Sequence, residues 1–238
     1  HNVQQCADVL SQTKDYDALT LTGQEQAGSF LVKDPLSPLG DDVDYEYFQY
    51  DPESFYGKSM NLTVSRLDGI MQELYDNNFI QVLGDENPML MFDIDNTISY
   101  SGFNDTDVTG QAPPIVETVN FVKTWCNGWG SPDESSTAVF DCYLVTARWC
   151  SEGKADAAST FLETKFPDAS QELIESNVIM TGAIVCECCD DFHNSWKDLI
   201  RCKLEEETNG KFVASIGDQY VDSAGACSGM KIKLPNVW

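Results

Sequence analysis

Residues 89–99 read Met-Leu-Met-Phe-Asp-Ile-Asp-Asn-Thr-Ile-Ser. Four apolar residues, Met89 to Phe92, run straight into Asp93. A short unbroken apolar run suits a strand buried on both faces, as in a parallel sheet. The run ends in two carboxylates, Asp93 and Asp95, spaced i, i+2. Open α/β sheets bind their ligands just outside the carboxyl ends of their strands. Both acids therefore fall where chemistry is expected if the sheet is parallel.

Two close carboxylates repel each other, and both repel a phosphate. At 4 Å and an effective dielectric near 20, each unit-charge pair costs about 4 kcal/mol. Such a pair favours a hard divalent cation with oxygen ligands, and Mg2+ is the usual partner beside phosphate. One carboxylate can then serve as nucleophile and the other as acid/base. The same letters also suit a helix N-cap, since Asp-x-Asn-Thr is good capping chemistry after a strand. These residues alone leave both alternatives open.

Working outward, residues 1 to about 56 are polar and turn-rich, with a loop signal at Asp34 to Gly40. Asp41 to Tyr50 mixes acids with Tyr45, Tyr47, Phe48 and Tyr50, as in an arm whose aromatics pack on a domain. From Ser59 to Leu83, Leu62, Leu67, Ile70, Met71, Leu74, Phe79 and Val82 recur at helical spacing, predicting one or two amphipathic helices. Residues 84–88 form a turn. Residues 99–112 form an insert too short for an independent cap domain, with Phe103 a candidate to line an entrance. Pro113-Pro114-Ile115 opens a helix through Val116, Val119, Phe121, Val122 and Trp125, with proline allowed in its first turn.

Ala138 to Val145 is a second buried strand candidate, followed by a helix from about Gly153 to Phe166. Val178-Ile179-Met180 suits a third strand, and a helix runs from Trp196 to Glu206. Lys211 to Ile216 is a fourth strand, and Met230 to Leu234 could add a last one. Strands alternating with helices predict an α/β fold built on a doubly wound parallel sheet.

The 238 residues are enough for one α/β domain with a sizeable core. A net charge of −25, from 39 acidic and 14 basic residues, makes nucleic acid and anionic membranes poor partners. It also sets an unfavourable long-range field for a phosphate, so binding must rest on local metal and basic groups. Nine cysteines, Cys6, Cys126, Cys142, Cys150, Cys186, Cys188, Cys189, Cys202 and Cys227, point to an oxidising compartment. Sequons at Asn61 and Asn104, and an opening His1 rather than Met, agree with a secreted mature chain. Cys186-x-Cys188-Cys189 with His193 nearby could bind zinc, but in this cysteine-rich setting disulfides are preferred.

Phe-Asp-Ile-Asp-Asn-Thr-Ile (92–98) resembles motif I, Asp-x-Asp-x-Thr, of the haloacid dehalogenase-like (HAD) phosphohydrolases. Residues 92–103 resemble the bacterial class B acid phosphatases. Thr146, closing Tyr-Leu-Val-Thr, matches motif II, where a hydroxyl bonds a phosphoryl oxygen. Thr-Ala-Arg follows where acid phosphatases carry Thr-Gly-Arg, leaving Arg148 as a candidate phosphate contact. Gly217-Asp218-Gln219-Tyr220-Val221-Asp222 matches motif IV, Gly-Asp-x-x-x-Asp, with glycine permitting the turn. Gly-Asp-Gln-Tyr and the tail Lys-Leu-Pro-Asn (233–236) are similar to the plant acid phosphatases and vegetative storage proteins. In those the motif III lysine lies at a spacing matched by Lys197, 21 positions before Asp218. The class B pattern points instead to the region of His193.

The resemblance covers residues 89–238 and implies a Rossmann-like HAD core of subfamily IIIB, with a small cap insert at about 99–112. Residues 1–88 would be an N-terminal extension. It implies a secreted or vacuolar/lysosomal acid phosphatase that hydrolyses small phosphate monoesters. Asp93 would be the nucleophile, Asp95 the acid/base, and Thr146 and Lys197 would stabilise charge. Mg2+ would be held by Asp93, Asp95, Asp218 and Asp222, with Asp222 also able to orient Lys197. A non-catalytic storage glycoprotein on the same fold, or a phosphotransferase or nucleotidase, are the competing expectations.

Overall fold

The computed structural model describes residues 52–84, 87–100, 113–130, 138–146, 162–180 and 196–235. The acidic-aromatic arm, the insert with Phe103, Arg148, His193, and Cys6, Cys150, Cys186, Cys188 and Cys189 lie outside the described residues.

Helix α1 spans Phe55–Asp76. Ser54 caps it, its Oγ accepting from Gly57 N at 3.0 Å. That cap starts the helix earlier than the periodicity alone suggests. Met60, Val64, Leu67 and Met71 form its buried stripe. The helix stops at Asn77, and Asn78 then takes a left-handed φ of 58°, which asparagine tolerates better than most residues. A short α2 follows at Phe79–Gly84.

Among the described residues five strands make one sheet: β1 Pro88–Phe92, β2 Asp141–Thr146, β3 Val178–Met180, β4 Lys211–Gly217 and β5 Met230–Lys233. Their order is β3-β2-β1-β4-β5, and every pairing is parallel. Helix α3 is Val116–Trp125, α4 is Gln171–Asn177, α5 is Trp196–Thr208 and α6 is Tyr220–Ser223.

Alternate strand residues feed opposite faces. Leu90 and Phe92 join Cys142 and Leu144 in the cluster shared with α1 and α3. Met89 and Met91 join Tyr143, Val145 and Phe212 against Ile200 of α5. Both faces are covered, so the strands read as unbroken apolar runs. The α/β fold is thus doubly wound, as a Rossmann-like core is. From β1 the chain moves outward through β2 and β3, then crosses back to place β4 on the other side of β1. The strand order therefore reverses between β1 and β4, the position where such sheets bind ligands.

Several boundaries differ from expectation. Both prolines precede α3 instead of opening it, and Pro114 pairs with Ser99. Val116 is on the solvent side. Residues 138–140 are outside β2, because the Val139 and Phe140 amides donate to Trp125 O at the end of α3. Helices α4 and α6 were not anticipated; α4 is short and capped by Ser170. Residues 162–165 are the described part of the helix expected over 153–166. Among the described residues two disulfides are formed, Cys126–Cys142 and Cys202–Cys227, compatible with an oxidising compartment. The first of these ties Cys142 of β2 to Cys126 at the end of α3. Among the described residues no helix is long and apolar enough to cross a membrane.

Candidate active site

The carboxyl ends of β1, β2, β4 and β5 deliver the polar groups. Asp93 follows β1 directly. Its amide donates to Ile216 O at 2.9 Å, extending the β1–β4 ladder by one residue. That bond fixes where its side chain starts. Ile94 O then accepts from the amides of Thr97, Ile98 and Ser99, and Asn96 takes a φ of 54°. This is a tight turn, not the start of a helix. The N-cap alternative for Asp-x-Asn-Thr is therefore not realised.

The turn gives the two motif carboxylates different partners. Asp93 lies toward β4. Asp95 lies toward β2, where its Oδ2 accepts from Thr146 Oγ1 at 3.3 Å. Spacing i, i+2 does not hold them side by side, because the chain has left the strand by Asp95. Asp93 is buried and Asp95 is half-buried.

Asp218 follows β4 and is buried. Asp222 lies in α6, and its Oδ2 accepts from Gln219 N at 2.8 Å. Gly217 has no left-handed φ. Its value is space: a Cβ there would sit 2.4 Å from Asp222 Cβ and 2.3 Å from its Oδ2. The expectation that this glycine serves the turn is thus corrected; it lets Asp222 fold back over the strand end.

Lys197, near the start of α5, is buried between two of these acids. Its Nζ donates to Asp93 Oδ1 and to Asp222 Oδ1, both at 2.6 Å. These are short charge-assisted bonds. Lys197, picked out by its spacing from Asp218, thus reaches the cluster, while the alternative near His193 lies outside the described residues. Burial disfavours its charge, but Asp222 and Asp93 outweigh that and raise its pKa, so it stays an ammonium.

Carboxylate oxygens of Asp93, Asp218 and Asp222 all lie within 4.8 Å of one another, and all three residues are buried. Burial first, then the neighbouring acids, pushes Asp93 up to about 7 against the pull of Lys197. Burial together with Asp222 and Asp93 holds Asp218 well above the usual carboxylate range. Three crowded carboxylates around a single buried ammonium leave negative charge uncompensated. Their hard oxygen donors fit a divalent cation such as Mg2+. The Asp95 carboxylate is not in this group. Its side chain instead bonds Thr146 across the β1–β2 edge.

Sequence inspection did not single out three further groups. Arg201, one helical turn after Lys197, is fully buried and donates to Asp222 O at 2.6 Å. Asp198 accepts from the Ala226 and Cys227 amides, both at 3.3 Å. Lys233 ends β5 beside Gly217 and stands 5.7 Å above the Tyr220 ring. Burial lowers its pKa, with Asp218 and Asp222 acting in the opposite sense. Only the i, i+4 spacing of Lys197 and Arg201 could have hinted at the first. The Lys-Leu-Pro-Asn tail had marked the last without giving it a role.

No protein-family profile and no curated protein sequence matches the chain. Among solved structures, the class C acid phosphatase from Bacillus anthracis aligns at 16% identity with a TM-score of 0.42. The alignment covers 70% of this chain and 65% of that one. The chain therefore spans just under two thirds of that protein's length. At such a distance the likeness says nothing about chemistry, which rests on the residues above.

Proposed function

We propose that this chain is a Mg2+-dependent phosphomonoesterase of the acid phosphatase kind, working through an aspartyl-phosphate on Asp93. One observation carries this reading. Lys197 joins Asp93 and Asp222 at the β1–β4 switch point, with the Asp218 carboxylate in the same cluster.

Lys197 holds Asp93 Oδ1 and fixes the carboxylate's orientation, which leaves Oδ2 to attack phosphorus. As that oxygen bonds to phosphorus, the bond to the leaving oxygen breaks. Asp95 protonates the leaving group. Asp95 then takes a proton from water, the water attacks phosphorus, and the bond to Asp93 breaks, releasing phosphate. Thr146, at the β2 end, orients Asp95 by donating its hydroxyl to Oδ2. A divalent ion held by Asp93, Asp218 and Asp222 would offset the charge of the phosphoryl oxygens. Asp222, with one oxygen on Lys197 and the other on Gln219 N, supports that lysine as much as the ion.

The proposed substrates are small phosphate monoesters, since the acidic surface offers nucleic acid no electrostatic footing. Secretion or residence in a vacuolar or lysosomal compartment is proposed with it, supported by the two disulfides and by the exposed Asn61 sequon on α1.

The test is turnover of an aryl phosphate at pH 5. We expect hydrolysis that EDTA abolishes and added Mg2+ restores. Asp93→Asn should lose at least about 10⁴-fold in kcat. Persistent activity in that variant would exclude Asp93 as the nucleophile.

A further inference from the structure

We infer that Arg201 is a positioning residue for the acidic cluster, and that α5 clasps the whole 222–227 segment to keep Asp222 in place. The inference rests on the phosphatase reading of the site.

Lys197, Asp198, Arg201 and Cys202 are at i, i+1, i+4 and i+5, one face of α5. Each of them reaches the chain between Asp222 and Cys227. Lys197 takes Asp222's carboxylate. One turn on, the Arg201 guanidinium takes the main chain of the same residue, through Nη1 to Asp222 O at 2.6 Å. Its Nη2 donates to Ala224 O and, at 3.3 Å, to Asp198 Oδ1. Asp198 in turn accepts from the Ala226 and Cys227 amides. Its carboxylate packs against Gly225, whose φ is +109° and where any Cβ would overlap it. Cys202 closes the segment through its disulfide to Cys227.

The physics explains why so much is spent on one loop. Helix α6 has four residues, too few to hold itself together in water. The carbonyls at its C-terminal end have no partner inside so short a helix. Arg201 supplies a donor from outside to one of them, Asp222 O, and another to Ala224 O just beyond the helix, and places a positive charge at that end. The same Nη1 lies 3.1 Å from Met91 Sδ on β1, two residues before Asp93. One rigid fork thus spans the strand that delivers Asp93 and the helix that delivers Asp222. A fully buried guanidinium is costly unless its donors are met. Aliphatic residues would fill the space without that cost, but they would leave the main chain of Asp222 without its donor from α5.

The decisive measurement is Mg2+ affinity by titration calorimetry without substrate, alongside kcat and KM for an aryl phosphate. Arg201→Lys keeps the charge but cannot reach both carbonyls and Asp198. Cys202→Ser/Cys227→Ser opens the far end of the clasp and reports independently if the first variant does not fold. Each should weaken Mg2+ binding about tenfold, as loss of a residue supporting metal ligands does. Each should also lower kcat at saturating Mg2+ with KM little changed. A merely structural role would lower the melting temperature and leave Mg2+ affinity within twofold, and that result overturns the inference. Asp222→Asn keeps the two readings apart. If it binds Mg2+ as tightly as the unaltered chain, the site reading fails and the clasp with it. If it loses affinity while both clasp variants keep theirs, only the clasp is wrong.

Discussion

The two edges of β1 carry carboxylates of opposite character. On the β4 side, Asp93, Asp218 and Asp222 are buried around Lys197. On the β2 side, Asp95 is half-buried and its described side-chain partner is a neutral hydroxyl, Thr146. One edge is buried and dense in charge, as the proposed nucleophile and metal site requires. The other keeps contact with solvent, as the acid/base role proposed for Asp95 requires. In the proposed mechanism two aspartates separated by one residue take different work because the chain turns sharply between them.

Separating metal binding from turnover tests that division most severely. Asp218→Asn should lose Mg2+ affinity about 100-fold. Asp95→Asn should bind Mg2+ within about threefold of the parent while kcat falls at least about 100-fold. Calorimetry and steady-state kinetics on the same preparations check both. Parallel losses in the two variants would mean that Asp95 belongs to the metal edge after all.

Lys197 is the next largest effect. Replacing it by methionine leaves Asp93 and Asp222 facing each other with no ammonium between them. Breaking a buried pair by removing one partner costs about 3–5 kcal/mol. Chemical denaturation of Lys197→Met in EDTA should show a loss of that order. Excess Mg2+ should recover part of it, because the ion takes over some of the neutralisation. A loss of under about 1 kcal/mol would place the lysine outside the electrostatic balance of the cluster.

Most of the β4 edge was legible in the sequence, and most of the clasp was not. Apolar runs ending at Asp93, Thr146 and Gly217-Asp218 were visible because strands buried on both faces leave an uninterrupted signature. Lys197 was reachable through its spacing from Asp218. The divergence of Asp95 was not, since it depends on the backbone of residues 94–99 and on β2 lying beside β1. Nor was Arg201, a helical arginine like any other until Met91, 110 positions away, is found beneath it. Gly217 shows the same limit in reverse. Its presence was noticed, but the reason for it is a side chain five residues on that folds back against it.

The buried edge also predicts how stability follows pH. In the folded, metal-free chain Asp93 has its pKa raised from 3.8 to about 7, chiefly by burial, and Asp218 is raised too. The folded state therefore holds more protons than the unfolded state between those values. Stability drops wherever the native state is the more protonated one as pH rises. The contribution is complete below about pH 4 and is lost as pH climbs through about 7. In EDTA the melting temperature should fall over that window. Saturating Mg2+, which binds the ionised carboxylates, should flatten the curve. Since the charge of −25 adds a fall of its own, the comparison is with Asp93→Asn. Its slope in EDTA should be shallower, and an equal slope would remove Asp93 from the account.

Lys233 offers the smallest effect and the finest probe of the boundary. It ends β5 next to Gly217, half-buried, with its ammonium over Tyr220 and donating to Leu234 O at 3.1 Å. Asp218 and Asp222 favour its charge while burial opposes it, so it lies within the field of the metal edge but not inside it. A cation there competes weakly with a metal ion and favours an arriving phosphate dianion. Lys233→Met should therefore tighten Mg2+ binding by about threefold and lower kcat/KM for an aryl phosphate by a similar factor, the size expected of a partly solvated charge. The opposite signs are what make the test discriminating. A lysine that only packed on Tyr220 would shift both quantities the same way, through stability, or neither.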